Sequence, residues 1–291
     1  MSTSPRADEE RTLTFAELAA QAERVGCQLL AAGLEPGDRV GIVVADPELF
    51  VRLFYGALRV GVVPVPFVRD PALWLRSLST QRATLTFAPN FAYAMTTARA
   101  ATIEGIDLST VRLWGCGAEP IQPDTLRAFV KTFARVGARE SAVFPSYGTA
   151  EATLAMAFSG LGDGLRTDWI DREAYLSHRV ARPAGPGASS LEVVACGRAM
   201  TGHKFEVWSE SDRPLPERCV GELVFSGPSA AGGYHEAAEA TAAAFTPRGL
   251  RTGDLGYIAD GCVHVTGRKK DIVILNGRNY DPQTLERAAT L

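Results

Sequence analysis

Hydrophobic residues along the first half of the chain follow two spacings in turn. Some segments repeat them every three or four positions, as on one face of a helix, and others carry short continuous runs that are typical of buried strands. The first spacing predicts helices over residues 14–33, 47–61, 73–79, 91–100 and 120–136. The second predicts strands over residues 39–44, 62–66, 83–87, 111–116 and 142–144. Helices that alternate with buried strands indicate an α/β fold, with parallel sheet units flanked by helices.

The first predicted helix carries its own start and stop signals. Thr14 can accept a hydrogen bond from the helix N-terminus, and Glu17 stands three residues later, as a capping box requires. Gly33 suits the C-terminal stop, because glycine readily adopts the left-handed conformation found there.

The pattern changes after about residue 160. Residues 162–190 are rich in Gly, Pro, Arg and Ala with little periodicity, and they predict a long loop or insertion. Asp260 and Gly261 predict a type I′ turn within a hairpin over residues 256–266. Further short strands, separated by turns, are predicted over residues 191–195, 204–208 and 222–225. This part of the chain therefore predicts a small β-rich subdomain.

Composition argues against several classes of protein. The chain has 291 residues, of which 46% are hydrophobic and 22% charged, and its net charge of -3 argues against nucleic-acid binding through a strong positive field. No apolar stretch approaches about 18 residues and the N-terminus is polar, so we expect no membrane span, no secretory signal and a cytoplasmic location. Five scattered cysteines without a C-x-x-C pair and four isolated histidines indicate structural roles rather than a disulfide framework or zinc site.

Two segments follow predicted strands and precede predicted helices, where free backbone N–H groups can bind a ligand. Residues 115–120 (GCGAEP) are small enough for a flat ligand to approach the backbone, or they form only a tight turn. Residues 145–153 (PSYGTAEAT) combine groups that could stack a base, contact a phosphate and hold a divalent cation. The alternative interpretation makes Thr149 a helix N-cap and Tyr147 part of the core.

Two further segments lie in the β-rich part. Asp254 follows Gly253 in the sequence LRTGDLGY, where its carboxylate could accept hydrogen bonds from two ribose hydroxyls or simply belong to a turn. The basic run that begins at Arg268 in TGRKKD is followed by NGRN at residues 276–279, and a run of this kind is usually a solvated surface. None of the four segments is decisive alone.

The order and spacing of these segments are far more specific than any one of them. The series runs GAEP at 117–120, YGTAE at 147–151, GE at 221–222, GPS at 227–229, GY at 233–234, RTGD at 251–254 and GRKKD at 267–271. It resembles the motif series of the adenylate-forming (AMP-binding, acyl-CoA synthetase-like) enzymes over nearly the whole chain from Leu13. APNFAY at 88–93, DREAYL at 171–176 and NGRN before Pro282 and Gln283 are similar to the fatty acyl-AMP ligase branch. The implied fold is a remnant of that family's N-terminal domain.

The resemblance implies a role for each matching residue in binding a nucleotide. Gly148 and Thr149 would lie near the α-phosphate, and Asp254 would hold the ribose hydroxyls with help from Arg268. The adenine pocket would be formed by Gly117, Ala118, Glu119, Pro120 and Tyr147. The implied cofactors are therefore ATP or AMP.

A metal ligand and a hinge are also implied. Glu151 would bind Mg²⁺, and Lys270 would be the hinge before a mobile C-terminal domain. The implied reaction is attack of a fatty carboxylate on the α-phosphorus of ATP, which gives acyl-AMP and pyrophosphate, followed by transfer to a carrier protein or CoA. The implied partners are a fatty acid or other carboxylic acid and an acyl carrier protein or polyketide synthase, in lipid or polyketide assembly.

Three departures from the family pattern concern catalysis. The block that should follow residue 66 and carry the Gly/Ser/Thr-rich phosphate loop is absent, which implies an internal deletion near residues 66/67 and an exposed apolar sheet edge. The chain stops at Leu291, before the C-terminal domain that would supply the adenylation lysine. Thr149 and His235 replace a usual apolar residue and a usual Trp. No catalytic residue is therefore assigned, and we do not expect efficient adenylation by this chain alone.

The resemblance also divides the chain. It implies an α/β portion of the AMP-binding domain at 13–160, the loop or insertion at 161–190, the β-rich subdomain at 191–275, and the hinge with the start of an absent C-terminal domain at 276–291. A fatty acyl-AMP ligase homologue is the first functional hypothesis. The alternatives are a catalytically inactive pseudoenzyme that binds AMP or acyl-AMP, and a gene remnant. Acyl chain length, acceptor and oligomeric state do not follow from the sequence.

Overall fold

The structure is a computed structural model that describes residues 13–42, 47–66, 71–271, 273–275 and 278–280. Contacts divide the chain into two compact units, Met1–Leu73 and Trp74–Leu291. Parts of three predicted segments lie outside the described residues: 43–44 of the first strand, 67–70 beside the predicted junction, and all of 276–291 except 278–280. Within the described ranges, no helix combines the length and hydropathy that crossing a bilayer would require.

The first unit is a strand–helix–strand arrangement preceded by a helix. Its elements are α1 (Phe15–Ala31), β1 (Arg39–Ile42), α2 (Pro47–Arg59) and β2 (Val63–Pro66). The predicted capping box is present, because the Glu17 amide donates to the Thr14 hydroxyl over 3.2 Å and the Thr14 amide donates to the Glu17 carboxylate over 2.9 Å. β1 and β2 pair in parallel, which confirms the predicted parallel unit.

The second unit begins with three parallel strands and the helices between them. Its first elements, after the boundary-spanning α3 (Pro71–Thr80), are β3 (Leu85–Ala88), α4 (Asn90–Ala98), β4 (Leu113–Cys116), α5 (Pro123–Phe133), β5 (Val143–Tyr147) and β6 (Ala157–Phe158). β3, β4 and β5 pair in parallel in chain order, as predicted, and β6 adds antiparallel to β5. α5 begins at Pro123 rather than at residue 120, so residues 117–122 form a loop beyond the carboxyl end of β4.

Aromatic side chains fill the space between one face of this sheet and its helices. Trp114 on β4 is fully buried and meets Trp74 of α3 edge to face, with ring centroids 6.2 Å apart. Phe129 of α5 contacts the rings of Trp114 and Tyr93, with centroids 5.1 and 4.9 Å apart. The Tyr93 hydroxyl donates to the Gly115 carbonyl over 2.7 Å, which ties α4 to β4.

The other face of the sheet is partly open at β3. This strand lies at one end of the strand order, and its Leu85 and Phe87 side chains are 58% and 51% exposed. Phe87 lies across Gly115 of β4, where a Cβ would come within 2.2 Å of the Phe87 ring. From there its ring contacts Phe144 and Phe158, with centroids 6.3 and 6.5 Å apart. β3 therefore presents exposed apolar side chains at one end of the strand order, and the internal deletion stays a prediction.

Residues 162–190 do not form the predicted loop. They contain β7 (Thr167–Asp171) and α6 (Arg172–His178), and β7 pairs antiparallel with β8 (Ser190–Val194). The Asp171 side chain caps α6, and Ile170 and Tyr175 are buried in a cluster with Tyr257. The hydrophobic pattern did not indicate these two elements because each is short and carries few apolar residues. The segments on either side of them are rich in Gly and Pro.

Antiparallel strands make up the rest of the second unit, as predicted for the β-rich part. They are β9 (Arg198–Ala199), which pairs with β6, then β10 (Lys204–Trp208), β11 (Gly221–Ser226), β12 (Phe245–Thr246) after α7 (Ala238–Ala244), β13 (Gly249–Ala259), β14 (Cys262–Arg268), β15 (Val273–Leu275) and β16 (Arg278–Tyr280). β14 pairs with β13 in the predicted hairpin. Its turn residues Asp260 and Gly261 have φ values of 52° and 71°, as a type I′ turn needs.

An ion pair joins α5 to the β7–β8 pair. The Glu192 side chain on β8 is 2% exposed and accepts hydrogen bonds from both terminal nitrogens of the Arg127 guanidinium. The Thr167 hydroxyl on β7 donates to the same carboxylate over 2.7 Å. A buried carboxylate held in this way fixes the position of β8 relative to α5.

Phe129→Ala should lower the free energy of unfolding by about 3–5 kcal/mol, because it removes a buried ring from the centre of the aromatic core. Lys131→Ala, at an exposed position on the same helix, is the control and should change stability by less than about 0.5 kcal/mol. Urea unfolding followed by tryptophan fluorescence measures both. Equal midpoints for the two variants would contradict the packing described.

Arg127→Ala should destabilise the protein by about 3 kcal/mol, because it leaves the buried Glu192 carboxylate without its guanidinium partner. The double variant Arg127→Met with Glu192→Leu removes both charges and should recover most of that loss. Thermal unfolding of both variants at the same pH is the measurement. A double variant as unstable as Arg127→Ala alone would show that the buried charge is not the cause.

Candidate functional site

A cleft of about 650 Å³ opens in the second unit, between the loops that follow β4 and β5 and the β7–β8 and β13–β14 strand pairs. The predicted site residues that line it are Ala118, Glu119, Pro120, Tyr147, Gly148, Asp254 and Arg268. Gly117, Thr149, Glu151 and Lys270 are not among its lining residues. Neighbouring parallel strands end at the same edge of a sheet, which brings the first two predicted segments together.

The loop after β4 lies close to the backbone of β5. A Cβ at Gly117 would come within 2.6 Å of the Ser146 Oγ, so no larger residue fits there without movement. Ala118 has a φ of 65°, a left-handed conformation that is uncommon for a residue with a Cβ. The Glu119 carboxylate accepts a hydrogen bond from the Phe91 amide, which ties this loop to the start of α4. The backbone of the loop therefore packs closely against the carboxyl end of β5.

The turn after β5 also depends on a glycine. A Cβ at Gly148 would lie 1.8 Å from the Leu154 carbonyl oxygen, so only glycine allows this approach. The Thr149 hydroxyl accepts a hydrogen bond from the Glu151 amide over 3.1 Å and so caps the short 3₁₀ helix Ala150–Ala152. The alternative interpretation of Thr149 as an N-cap therefore describes a contact that the structure contains.

Tyr147 and Asp254 meet in the cleft. The Tyr147 hydroxyl donates to the Asp254 Oδ2 over 2.7 Å, and the Arg268 Nε donates to the Oδ1 over 3.0 Å. Arg268 reaches this carboxylate because it is the register partner of Asp254 in the β13–β14 hairpin. Burial, together with the Asp254 charge, holds the pKa of Tyr147 well above its usual value, so the phenol remains a donor. The result is a 6% exposed carboxylate with a fixed orientation beside an open cleft.

Glu151 lies in a second, more exposed group. Its carboxylate accepts a hydrogen bond from the Tyr234 hydroxyl over 2.8 Å. The Thr149 hydroxyl and then that of Tyr234 lower the pKa of Glu151, so the group is ionised at neutral pH. Two more hydrogen bonds hold the segment before Tyr234 against the turn, from the Ala231 amide to the Glu151 carbonyl over 2.8 Å and from the Thr153 hydroxyl to the Ser229 carbonyl over 3.3 Å.

A metal ion at Glu151 would have few protein ligands. Within the described residues, no group of three or more His, Cys, Asp or Glu side chains is arranged to hold a metal. Mg²⁺ commonly binds through one or two carboxylates together with waters and the phosphates of its substrate. An ionised glutamate fits that hard-oxygen chemistry, so Glu151 is compatible with a cation that arrives with a nucleotide.

Some residues of the site carry no sequence motif. Glu192, whose side chain is 2% exposed and pairs with Arg127, also lines the cleft. Cys196 also lines it, and burial raises the pKa of its thiol to about 12, so the thiol stays protonated and unreactive. Alternation in the short strand SLEVV was the only available signal for Glu192. Lys270, the predicted hinge, lies in the 3₁₀ turn Lys269–Asp271 directly after β14, with its side chain exposed.

Comparison with known proteins agrees with this arrangement. A sequence model of the AMP-binding enzyme family matches the chain in two stretches, residues 3–70 and 66–235. The two stretches meet beside the predicted junction at residues 66/67. Together they cover well over half of the chain.

The relatives and solved structures that the chain resembles include fatty acyl-AMP ligases. The chain is 36% identical over 236 residues to the medium-chain-fatty-acid–[acyl-carrier-protein] ligase JamA of Moorena producens, which covers 77% of this chain and 40% of JamA. It is 33% identical over 237 residues to the long-chain-fatty-acid–AMP ligase FadD23 of Mycobacterium tuberculosis, with the same two coverages. A solved structure from work on fatty acyl-adenylate ligases of E. coli and L. pneumophila is 33% identical, with a TM-score of 0.71 over 88% of this chain and 48% of the other.

The chain thus spans less than half the length of these relatives. Its matched part has the mixed α/β fold of their N-terminal domain, with a parallel sheet, flanking helices and an antiparallel sheet. The chain belongs to the AMP-binding enzyme family, and its relatives include the fatty acyl-AMP ligases that its motifs resemble.

Proposed function

We propose that the cleft binds the adenosine monophosphate part of ATP, AMP or an acyl adenylate. The Asp254 carboxylate supports this proposal best. It is buried, accepts hydrogen bonds from Tyr147 and Arg268, and faces an open cleft. A carboxylate accepts hydrogen bonds and donates none when ionised, so it suits the vicinal hydroxyls of a ribose. Arg268 assists by holding the same carboxylate.

The remaining predicted residues fit around that anchor. Ala118, Glu119, Pro120 and Tyr147 line the part of the cleft that we assign to adenine, and Gly117 packs closely on β5 beside them. Gly148 and Thr149 lie on the turn that opens toward the α-phosphate. Glu151 takes Mg²⁺ that arrives with the nucleotide, and the cation would neutralise phosphate charge there. Lys270 keeps its proposed role as the hinge residue.

The reaction that belongs with such a site is activation of a fatty acid. A fatty carboxylate attacks the α-phosphorus of ATP, acyl-AMP forms and pyrophosphate leaves. The name of JamA gives an acyl carrier protein as its acceptor and that of FadD23 gives an AMP ligase, so we propose a carboxylic acid substrate and a carrier-protein acceptor here. The cytoplasmic location predicted from the sequence stays a prediction.

A second candidate is a protein that binds AMP or acyl-AMP without efficient turnover. The chain has no Gly/Ser/Thr-rich stretch ending in Gly-Lys, the kind of loop that holds the β- and γ-phosphates. ATP–pyrophosphate exchange with a long-chain fatty acid separates the two candidates. Exchange above background supports a ligase, whereas AMP binding without exchange supports the binding protein.

Asp254→Asn should weaken AMP binding by at least about tenfold, because hydrogen bonds to a charged group contribute about 1.5–3 kcal/mol. Asp260→Asn is the matched control, since Asp260 lies in the exposed hairpin turn outside the cleft and asparagine also suits that turn. Isothermal titration calorimetry with AMP in the presence of EDTA measures both. An unmodified chain that does not bind AMP would refute the proposed function.

Glu151→Gln should remove most of the gain in ATP affinity that Mg²⁺ provides, by about tenfold, and should leave AMP binding in EDTA unchanged. Glu210→Gln, at an exposed position outside the cleft, is the control. Titrations of ATP with and without Mg²⁺ give the two affinities for each variant. Equal Mg²⁺ dependence in Glu151→Gln and the unmodified chain would show that Glu151 does not hold the cation.

A further inference from the structure

We propose that His203 is a positioning residue for the proposed metal ligand Glu151. Its imidazole holds the segment 227–234, and that segment places the Tyr234 hydroxyl on the Glu151 carboxylate. The inference rests on the proposed function, because it assumes that Glu151 takes the Mg²⁺ that arrives with a nucleotide. It gives a role to one of the four isolated histidines and to the GPS and GY motifs within the segment.

The imidazole of His203 has a tautomer set by its surroundings. Its Nδ1 lies 3.0 Å from the Thr201 carbonyl oxygen, which can only accept, so the Nδ1 carries the hydrogen of the neutral ring. The Nε2 is then an acceptor, and Ser229 lies against it with its amide nitrogen at 3.3 Å and its hydroxyl oxygen at 3.0 Å. The ring also stacks on the buried Phe225, with centroids 5.3 Å apart and planes 15° from parallel. Both nitrogens and one face of the ring therefore have fixed partners.

Gly227 allows the imidazole to lie this close to the segment. A Cβ at Gly227 would come within 2.1 Å of the His203 Cδ2, so a larger residue would displace the ring. The Ala230 amide donates to the Gly227 carbonyl over 3.2 Å, which closes a turn around Ser229. The first half of the segment is therefore held by the ring of His203.

The turn that carries Glu151 needs support from outside. Thr153 follows its 3₁₀ helix with a φ of 72°, a left-handed conformation that is costly for a β-branched residue. The Thr153 hydroxyl donates to the Ser229 carbonyl over 3.3 Å, and the Ala231 amide donates to the Glu151 carbonyl over 2.8 Å. Ser229 is thus bound to His203 through its amide and hydroxyl and to the Glu151 turn through its carbonyl.

The end of the segment reaches the carboxylate itself. The Tyr234 hydroxyl donates to the Glu151 Oε1 over 2.8 Å, and this bond raises the pKa of Tyr234, so the phenol remains a donor. Hydrogen bonds of this kind orient a metal-binding carboxylate, and their removal typically costs about 10–100-fold in metal affinity or activity. Tyr234 is 39% exposed, so its position depends on the segment and on its ring contact with Phe245.

The test measures the gain in ATP affinity that Mg²⁺ provides, by calorimetry with Mg²⁺ and with EDTA. His203→Phe keeps a ring on Phe225 but removes the acceptor, and it should reduce a gain of about tenfold to about threefold. His203→Gln restores an acceptor oxygen near the Nε2 position and should recover most of the gain. A ring that acts only through packing predicts the reverse, with the gain kept in His203→Phe and lost in His203→Gln, and that result would overturn the inference.

Tyr234→Phe tests the last step of the route. It removes the hydroxyl from Glu151 at an exposed position and should also reduce the gain to about threefold. Because His203 acts through Tyr234, the double variant with His203→Phe should stay near threefold, whereas independent effects would remove the gain altogether. A gain unchanged in Tyr234→Phe, or effects that add in the double variant, would contradict the route. The result for Tyr234→Phe decides the question alone if His203→Phe does not fold.

His264→Phe is the matched control. The His264 Nδ1 also lies close to the carbonyl oxygen two residues earlier, 3.1 Å from that of Cys262, and its ring stacks on Tyr257 with centroids 4.6 Å apart. The variant therefore loses the same kind of stacked imidazole, but in the β13–β14 hairpin. It should leave the Mg²⁺ gain unchanged. A loss equal to that in His203→Phe would indicate a general loss of rigidity, and the inference would fail.

Hydrogen exchange without nucleotide or metal gives a second readout. The Ala231 amide should exchange about fivefold faster in His203→Phe than in the unmodified chain, because the segment that carries it is released. Equal rates would show that the segment does not depend on His203. An unmodified chain whose ATP affinity does not depend on Mg²⁺ would overturn the proposed role of Glu151 as well, whereas a gain kept in His203→Phe would overturn the inference alone.

Discussion

The hydrogen bond between Tyr147 and Asp254 is the constraint on which the cleft depends. It joins the end of the parallel strand β5 to β13 of the antiparallel sheet, across 107 positions of sequence. A carboxylate in a residue that is 6% exposed needs hydrogen-bond donors, and the buried phenol and the Arg268 guanidinium supply them. The hydrogen bond that satisfies this buried carboxylate therefore also links the two sheets that border the cleft.

Two close backbone approaches support this arrangement. Gly148 lets the turn after β5 lie against the Leu154 carbonyl, and Gly117 lets the loop after β4 lie against Ser146. A side chain at either position would clash with these neighbours and force a shift of the loop. The polar groups of the site are thus carried on backbone that packing has fixed, which reduces the conformational entropy that a ligand must remove on binding.

The sequence predicts the local parts of this structure well and its long-range parts poorly. The capping box at Thr14 and the turn at Asp260 follow from residues within three positions of each other, so both are readable from the pattern alone. The Tyr147–Asp254 bond and the Arg127–Glu192 pair connect residues far apart in the chain. Only the family resemblance brought Tyr147 and Asp254 together, and the alternation in SLEVV indicates a strand at Glu192 without indicating its ion pair with Arg127.

Residues 162–190 show why composition alone predicted a loop where the structure has a strand and a helix. Gly and Pro at the flanks predict a loop, but Ile170 and Tyr175 between them are buried against Tyr257 from a distant strand. Tertiary packing stabilises β7 and α6 although their own periodicity is weak. At Tyr147 the two interpretations drawn from sequence were not exclusive, because its ring lies in the core while its hydroxyl reaches the cleft.

The parts of the family site that are present and absent here contribute to different steps. In the proposed function, the Asp254 carboxylate binds the ribose equally well before and during reaction, so it would contribute to affinity rather than to rate. Oriented donors on the transferring phosphate act mainly on the transition state, and removing one such donor typically costs about 3–4 kcal/mol. If Asp254 binds the ribose as proposed, a chain without the Gly-Lys phosphate loop should keep nucleotide affinity while losing rate. The exposed Leu85 and Phe87 on β3 lie on the same sheet as β4 and β5, whose following loops line the cleft.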